Sequence, residues 1–262
     1  TSVSRGLGDV YKRQYLNSNF FKEKKMIKKY TYLTLAFMLS FTLVSEETGR
    51  HEMHAFYFMQ VSNPPAIVGA IDKFASSECG KKFPADMTLM AETINGSSPA
   101  THFLILSFET RADFQKAGQL ANSCPEAAAM LQSFVSSASQ VRNSLNLPVA
   151  EFGDWTKDSI FLRYDVTLKN ETAYIEAWTE MMDSLSTEGS VNGSYGINRA
   201  FAGNDQSTHF VYIGASDFDS LTANQQTLTT SSDFAKFSRK VGNNRTVINT
   251  SVVIPVKGWP KQ

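Results

Sequence analysis

Aromatic and β-branched residues form two matching series along the chain. Residues 54–61 read HAFYFMQV and residues 159–166 read SIFLRYDV. Both segments lie between polar or proline-containing turns, and this pattern predicts β-strands. Further along, residues 101–106 (THFLIL) match residues 208–213 (THFVYI). The two matches predict that one structural unit occurs twice in the chain.

Each half also ends close to a tryptophan, Trp155 in the first and Trp259 in the second. The separation is 107 residues for His102 and His209, the histidines of the THF segments, and 104 residues for the two tryptophans. Three landmarks with nearly constant spacing favour a duplication with a period of about 105 residues.

The elements between these landmarks follow the same order in both halves. Pro64 opens a helix after the first strand, since proline is tolerated in the first helical turn. Asn170 caps the corresponding helix of the second half. A second strand is predicted at residues 87–93 and again at residues 194–202, and the THF strand follows in each half.

A longer helical region comes after each THF strand. In the first half it breaks before Pro125, and its apolar face is predicted to continue through Ala138 and Val141. In the second half the apolar positions span residues 218–241. A last strand, clearest at residues 246–256, completes a β-α-β-β-α-β unit.

Such a unit forms a four-stranded antiparallel sheet with both helices on one face. The other face is apolar and must be covered, so we expect the two units to pack sheet to sheet. The element order, the repeat length and the tandem fusion resemble the dimeric α/β-barrel superfamily, whose ferredoxin-like subunits include antibiotic-biosynthesis-type monooxygenases. The resemblance covers residues 53–259. It implies an α+β fold, an intramolecular barrel, and a ligand site either between a sheet and its helices or in the barrel interior.

The repeats are expected at residues 51–155 and 156–262. Residues 1–25 resemble a non-native or untranslated leader, and residues 26–45 have the basic start and short apolar core of a signal peptide. The apolar run is shorter than the roughly 20 residues of a membrane span. A retained N-terminal anchor is the alternative to cleavage. We therefore expect a secreted or periplasmic protein.

Charge narrows the range of partners. Lys and Arg number 25 and Asp and Glu also number 25, but eight basic and two acidic residues precede residue 46. The remaining chain therefore carries 17 basic and 23 acidic residues, a net charge of −6. This balance argues against nucleic acid, whose phosphates require clustered Lys and Arg. Because the fused repeats cover each other's sheets, we expect a monomer.

Two histidines are candidate ligand-binding residues because they recur in both repeats. His102 and His209 each have an imidazole that could ligate haem or a metal, or transfer a proton near neutral pH. The alternative is a hydrogen-bonded histidine at a strand end that both copies inherited. Haem is one cofactor that the resemblance allows, and no metal site is predicted.

Four further candidates come from the second repeat. Besides these four, Arg163 is also considered: Arg163 or Arg199 on a strand would favour an anionic ligand if it faced a pocket, and the alternative is an edge arginine that reaches solvent. Asn198 and Tyr164 are polar residues on predicted strands. Trp178 could close a pocket for a flat molecule, although its helical spacing also suits the core. The nearby His51 and His54 are expected in a flexible polar N-terminal segment.

The chain has two cysteines, Cys79 and Cys124. In an oxidising compartment they could form a disulfide, and otherwise they are small buried residues. No nucleotide-binding glycine motif, nucleophile elbow or zinc-protease motif occurs in the sequence. Two functions therefore remain: a monooxygenase-like enzyme acting on a small apolar or aromatic substrate, and a non-catalytic exported module that binds a small ligand or has a structural role.

Overall fold

The computed structural model describes residues 51–203 and 206–262. The predicted leader and signal peptide lie outside these ranges. Within them each repeat has the predicted β-α-β-β-α-β order, with the second helical region divided into two helices. The elements of the first repeat are β1 (Met53–Val61), α1 (Pro64–Ser76), β2 (Asp86–Ile94), β3 (His102–Phe108), α2 (Arg111–Ser123), α3 (Pro125–Ser137) and β4 (Ala138–Phe152). Those of the second are β5 (Ile160–Leu168), α4 (Glu171–Thr187), β6 (Tyr195–Ala202), β7 (His209–Ala215), α5 (Phe218–Thr230), α6 (Ser232–Val241) and β8 (Arg245–Trp259).

The first helix of each repeat begins at a side-chain cap. The Asn63 side chain accepts a hydrogen bond from the backbone N–H of Ala66, and the Asn170 side chain accepts one from Ala173. Each cap satisfies a backbone N–H that has no partner within the helix. The capping prediction for Asn170 is confirmed.

The predicted continuation of the apolar helix face through Ala138 and Val141 is wrong. Helix α3 ends at Ser137, and Ala138 is the first residue of β4. Ala138 pairs with Val61 of β1, so long-range strand pairing outweighs a three-residue spacing that also suits a helix. β4 is consequently 15 residues long.

The two tryptophans are not equivalent positions of the repeat. β4 and β8 begin 107 residues apart, at Ala138 and Arg245, and end 107 residues apart, at Phe152 and Trp259. Phe152 is therefore the counterpart of Trp259. Trp155 lies three residues beyond β4, in a 3-10 helix of the linker between the repeats. The spacing of 104 residues between the tryptophans reflects this offset.

The eight strands form one closed barrel in the order β1-β3-β2-β8-β5-β7-β6-β4, and β4 closes it against β1. The two longest strands connect the repeats. β4 pairs with β1 of its own repeat and β6 of the other, and β8 pairs with β5 and β2 in the same way. The predicted packing of two sheets is thus realised as a barrel in which neither sheet keeps a free edge.

Apolar side chains form three large clusters and a smaller one around Ile160, Ala215 and Leu221. Outside the barrel, the helices of the first repeat cover their strands with residues such as Ile67, Ile71 and Phe74. The helices of the second repeat do the same with Trp178 and its neighbours. A third, aromatic cluster lies inside the barrel. Both spaces between sheet and helices are therefore packed.

A disulfide joins Cys79 to Cys124 across the first repeat, with the two Cα atoms 6.2 Å apart. Cys79 follows α1, and Cys124 is the residue that caps α3. The bond therefore fixes the end of one helix to the start of another. Among the helices of the described residues, none has the length and apolar character that crossing a bilayer requires.

Candidate functional site

A cavity lies inside the barrel. Alternate residues of each strand point inward, so His54, Phe56 and Phe58 of β1 share the inner face. The volume of the cavity is about 60 Å³. The lining is formed by His54, Phe56, Met90, Phe103, Ile105, Glu151, Trp155, Phe161, Arg163, Asn198, Phe210, Tyr212 and Val253.

Three polar side chains of this lining form a chain of contacts, in which Glu151 lies between Asn198 and His54. Asn198 Nδ2 donates a hydrogen bond of 2.8 Å to Glu151 Oε1, and His54 Nε2 lies 3.6 Å from the same oxygen. The other ring nitrogen of His54, Nδ1, is 2.8 Å from Ser107 Oγ. Glu151 and Asn198 are brought together by the pairing of β4 with β6, and His54 by the pairing of β4 with β1. Closure of the barrel thus creates this cluster.

The environment of Glu151 favours its charged form. Burial acts to raise the pKa of this carboxyl, but the imidazole of His54 and the hydrogen bond from Asn198 outweigh it, and the pKa lies below its ordinary value. Glu151 is therefore an ionised carboxylate beside an imidazole in a buried site. Such a carboxylate stabilises a protonated histidine, as a general base requires.

Tyr212 stays neutral in the same cavity. Burial raises the pKa of its phenol well above the ordinary value, and the nearby carboxylates of Glu151 and Asp158 act in the same direction. Gly196 makes room for its ring, since a Cβ at that position would lie 2.6 Å from Tyr212 Cε1. The tyrosine hydroxyl is thus a neutral hydrogen-bonding group held against the β6 backbone.

Arg163 of β5 enters the cavity from a strand four places away from β1 around the barrel. Its Nη2 lies 2.6 Å from Asp165 and its Nη1 lies 3.7 Å from Glu92. Its guanidinium also lies over the rings of Phe58 and Phe210, 5.0 Å from each ring centroid. Paired carboxylates and aromatic faces together stabilise a buried guanidinium.

Several buried polar atoms around this cavity make no hydrogen bond to another described residue. They are His54 Nε2, Asn198 Oδ1, Tyr212 Oη, and Nε and Nη1 of Arg163. All four residues are buried. Buried polar atoms in native proteins nearly always have a partner, which can be a water or a ligand. Five such atoms around one space make this cavity a candidate binding site.

Of the residues considered from the sequence as ligand-binding, Asn198 and Arg163 line this cavity. Tyr164 and Trp178 belong to the packed layer between the second sheet and its helices. Arg199 forms an ion pair of 3.1 Å with Glu171 at the surface. The structure therefore does not bring all the predicted candidates together.

The two recurring histidines lie on the outer face of the barrel. Nδ1 of His102 is 3.0 Å from Thr101 Oγ1, and Nδ1 of His209 is 2.8 Å from Thr208 Oγ1. Nε2 of His209 also contacts Glu171 at 3.0 Å. Burial lowers the pKa of both histidines. Their shared contact with the preceding threonine is a structural feature of the repeated THF segment.

His54, Glu151, Tyr212 and Trp155 are site residues that were not among the sequence candidates. The prediction that His51 and His54 belong to a flexible polar segment is wrong. His51 is buried, with its Nε2 2.7 Å from Asp86 Oδ2, and His54 is a buried residue of β1. The alternation along β1 could have identified it, since His54 shares a face with Phe56 and Phe58. Glu151 offered no comparable signal, because its contacts depend on barrel closure.

The described residues do not fit haem. Pockets for ligands of this size usually measure about 300–1,000 Å³, and the cavity is about 60 Å³. The layers between sheet and helices, where His209 lies, are filled by buried side chains. No step below involves haem.

Comparison with known proteins identifies the architecture. No protein-family model matches the chain, and no curated protein matches its sequence. Among solved structures, a candidate monooxygenase from Lactobacillus acidophilus NCFM superposes with a TM-score of 0.55 at 8% identity, covering 80% of this chain and 96% of that one. An anthrone oxidase-like protein gives 0.53 at 10% identity, covering 82% and 94%. A candidate monooxygenase from Fusobacterium nucleatum gives 0.51 at 9% identity, covering 80% and 94%. This chain therefore has the dimeric α/β-barrel fold, with both ferredoxin-like halves in a single polypeptide.

Proposed function

We propose that the chain is a monooxygenase-type enzyme that binds a small aromatic molecule inside the barrel. The observation that carries the proposal is the set of five buried polar atoms without a hydrogen-bond partner around a cavity lined mostly by aromatic and apolar side chains. Pockets for small molecules commonly combine apolar walls with a few convergent polar groups. Two of the similar structures are named as candidate monooxygenases and one as anthrone oxidase-like, which supports this class of reaction.

In the proposed reaction His54 is the general base. Its Nε2 faces the cavity and accepts a proton from an acidic C–H or O–H of the substrate, while the Glu151 carboxylate 3.6 Å away stabilises the resulting imidazolium. Ser107 Oγ, 2.8 Å from Nδ1, orients the ring. The substrate anion then reacts with dioxygen. For anthrone the balance is anthrone plus O₂ giving anthraquinone plus water.

A substrate ring needs more space than the cavity holds as it stands. A cavity of about 150 Å³ accommodates benzene, and about 60 Å³ is open here. Trp155 is the lining residue placed to provide the difference, because it is half-buried and lies on the linker between the repeats. We therefore infer that Trp155 moves outward when a substrate enters.

The test uses anthrone and a dioxygen electrode, with anthraquinone measured by its absorbance. Wild type and Trp155→Ala should both consume dioxygen, and Trp155→Ala should turn over faster at low substrate concentration. His54→Gln should lose activity by about 10²–10⁴-fold, the usual contribution of a general base. His102→Gln is the matched control, because His102 lies outside the barrel, and it should keep wild-type activity.

Equal activity of His54→Gln and wild type would contradict the role of His54. Binding of anthrone without dioxygen consumption, in wild type and Trp155→Ala alike, would instead support the alternative of a non-catalytic binding protein. Binding is measured separately by thermal shift, since a ligand that binds the folded state raises its melting temperature.

We also propose that the protein is exported and acts as a monomer. The disulfide between Cys79 and Cys124 supports an oxidising compartment. The internal barrel supports the monomer, because strand pairing between the repeats leaves no edge that a second copy would need to cover. Fractionation of the source cells tests the first proposal, with cytoplasmic protein as the contradicting result.

A further inference from the structure

The two repeats differ most clearly where they face the cavity. The register of the strand pairs relates the halves residue by residue: His54 faces Ser107 as Phe161 faces Gly214, and Phe56 faces Ile105 as Arg163 faces Tyr212. By the same registers, the polar residues of the cavity correspond to apolar residues or glycine in the other repeat. Four of the pairs are His54 with Phe161, Glu151 with Gly258, Asn198 with Met90, and Tyr212 with Ile105; in the fifth, Arg163 with Phe56, the polar member lies on β5.

These four polar residues occupy one side of the barrel. They lie on β7, β6, β4 and β1, which are consecutive in the barrel order, and their counterparts lie on β3, β2, β8 and β5, which are also consecutive. We call the first group the polar wall, formed by Tyr212, Asn198, Glu151 and His54. We call the second the apolar wall, formed by Ile105, Met90, Gly258 and Phe161. A symmetric barrel would present two equal sites, whereas this one presents a single site.

The unpartnered polar atoms of the site include an acceptor on Asn198 and a donor on Arg163, so they favour a ligand that carries both a donor and an acceptor. Asn198 donates to Glu151 through Nδ2, which leaves its Oδ1 as an acceptor without a partner. A ligand that presents an O–H or N–H at the polar wall would satisfy this acceptor. Arg163 enters from β5, the strand that also carries Phe161, and its free Nε can only donate. Because β5 neighbours β7 in the barrel, Arg163 lies beside the polar wall at Tyr212, and a second edge of the ligand facing Arg163 would have to present an acceptor such as a carbonyl oxygen.

The charges around the cavity disfavour an anionic ligand. Arg142 and Arg163 are matched by Asp165 and Glu92, which lie 3.5 Å and 3.7 Å from them respectively. Glu151 adds a further carboxylate at the polar wall. A ligand carboxylate would place a second negative charge beside it in a poorly solvated space, and this arrangement is costly.

We propose that the barrel binds one molecule per chain, and that this molecule is a neutral ring compound with a hydroxyl or N–H donor at one edge and a carbonyl acceptor at a second edge. The donor is oriented by Asn198 and the acceptor by Arg163. The proposal rests on the site assigned under the proposed function, but not on its catalytic step.

The experiment is a calorimetric titration with four ring compounds of similar size. 4-Hydroxyacetophenone carries both edges, 4-methoxyacetophenone lacks the donor, 4-isopropylphenol lacks the carbonyl, and 4-hydroxybenzoate carries a charge. The first should bind with a stoichiometry of one per chain. Each of the others should bind about tenfold or more weakly, since each leaves a buried polar group unpaired or adds a buried charge.

The repeat itself supplies matched variants. Asn198→Met places on β6 the residue that the first repeat carries at the corresponding position of β2, Met90. A methionine side chain is therefore compatible with the backbone of this strand. The substitution should weaken 4-hydroxyacetophenone about tenfold and leave 4-methoxyacetophenone nearly unchanged. Met90→Leu at the counterpart position is the control and should affect the two compounds equally.

The outcomes separate this proposal from the proposed function. Two molecules per chain, or equal affinity for 4-hydroxybenzoate and 4-hydroxyacetophenone, would overturn the proposal and leave a monooxygenase site in place. Anthrone oxidation without any binding of 4-hydroxyacetophenone would do the same. Failure of anthrone and all four compounds to bind either wild type or Trp155→Ala would overturn both.

Discussion

Arg163→Met is expected to destabilise the protein strongly, because Arg163 is the cation that balances two carboxylates inside the barrel. The side chains of Arg163, Asp165 and Glu92 are 4%, 5% and 3% exposed. Removing one partner of a buried ion pair typically costs 3–5 kcal/mol, because a buried charge is left uncompensated. Arg142 remains 3.5 Å from Asp165, so we expect the lower end, about 3 kcal/mol.

The assay is urea unfolding at pH 7 followed by circular dichroism. Arg199→Met is the control, since Arg199 forms a half-exposed ion pair with Glu171, and it should cost at most about 1 kcal/mol. Adding Glu92→Gln to Arg163→Met should restore part of the loss. The reasoning is refuted if Arg163→Met is no more destabilising than Arg199→Met, or if Glu92→Gln deepens the loss.

Four further outcomes are expected. The pKa of Glu151 is lower in the folded state than in the unfolded chain. Its ionised carboxylate therefore stabilises the fold at a pH above the unfolded-state pKa, and this stabilisation is lost as the pH falls through the folded-state pKa. In urea unfolding between pH 7 and pH 3, Glu151→Gln should lose less stability on acidification than wild type. Burial raises the pKa of Tyr212, so this tyrosine should stay un-ionised until the protein unfolds in alkali. Ultraviolet titrations of wild type and Tyr212→Phe should therefore agree at every pH at which the protein is folded. If the folded variant ionised one tyrosine fewer than wild type, the burial of Tyr212 would be contradicted. Reducing the disulfide between Cys79 and Cys124, which are 45 residues apart, should lower stability by up to about 4 kcal/mol, and Cys79→Ser/Cys124→Ser should match the reduced wild type in urea unfolding. Size-exclusion chromatography with light scattering should give the mass of one chain, and a stable dimer mass would contradict the internal barrel as a complete unit.

The repeat was predictable because its strands carry strong aromatic and β-branched patterns. β1 and β5 are both rich in aromatic and β-branched residues, although the strand registers relate His54 to Phe161, so the predicted match of residues 54–61 with residues 159–166 is wrong by two residues. Proline or asparagine marks the start of each following helix. β4 was much less visible. It is 15 residues long, contains several polar residues and Pro148, and is defined mainly by its pairing with β1 and β6. Only pairing between distant segments determines its length.

The candidate site was largely hidden in the sequence for the same reason. Glu151 contacts His54 and Asn198, which are far from it along the chain, and both contacts require β4 to close the barrel. His102 and His209 were predicted because they recur, and they lie on the outer face of the barrel, where the two repeats have kept the same residues. The cavity is where corresponding residues have diverged, so similarity between the repeats indicated the fold and difference between them indicates the site.

A crystal structure of the protein soaked with 4-hydroxyacetophenone tests the central claim most directly. We predict electron density for one molecule within the barrel, with its hydroxyl within hydrogen-bond distance of Asn198 Oδ1 and its carbonyl oxygen facing Arg163. Density between a sheet and its helices, beside Trp178 or His209, or two molecules on opposite walls of the barrel, would contradict the account.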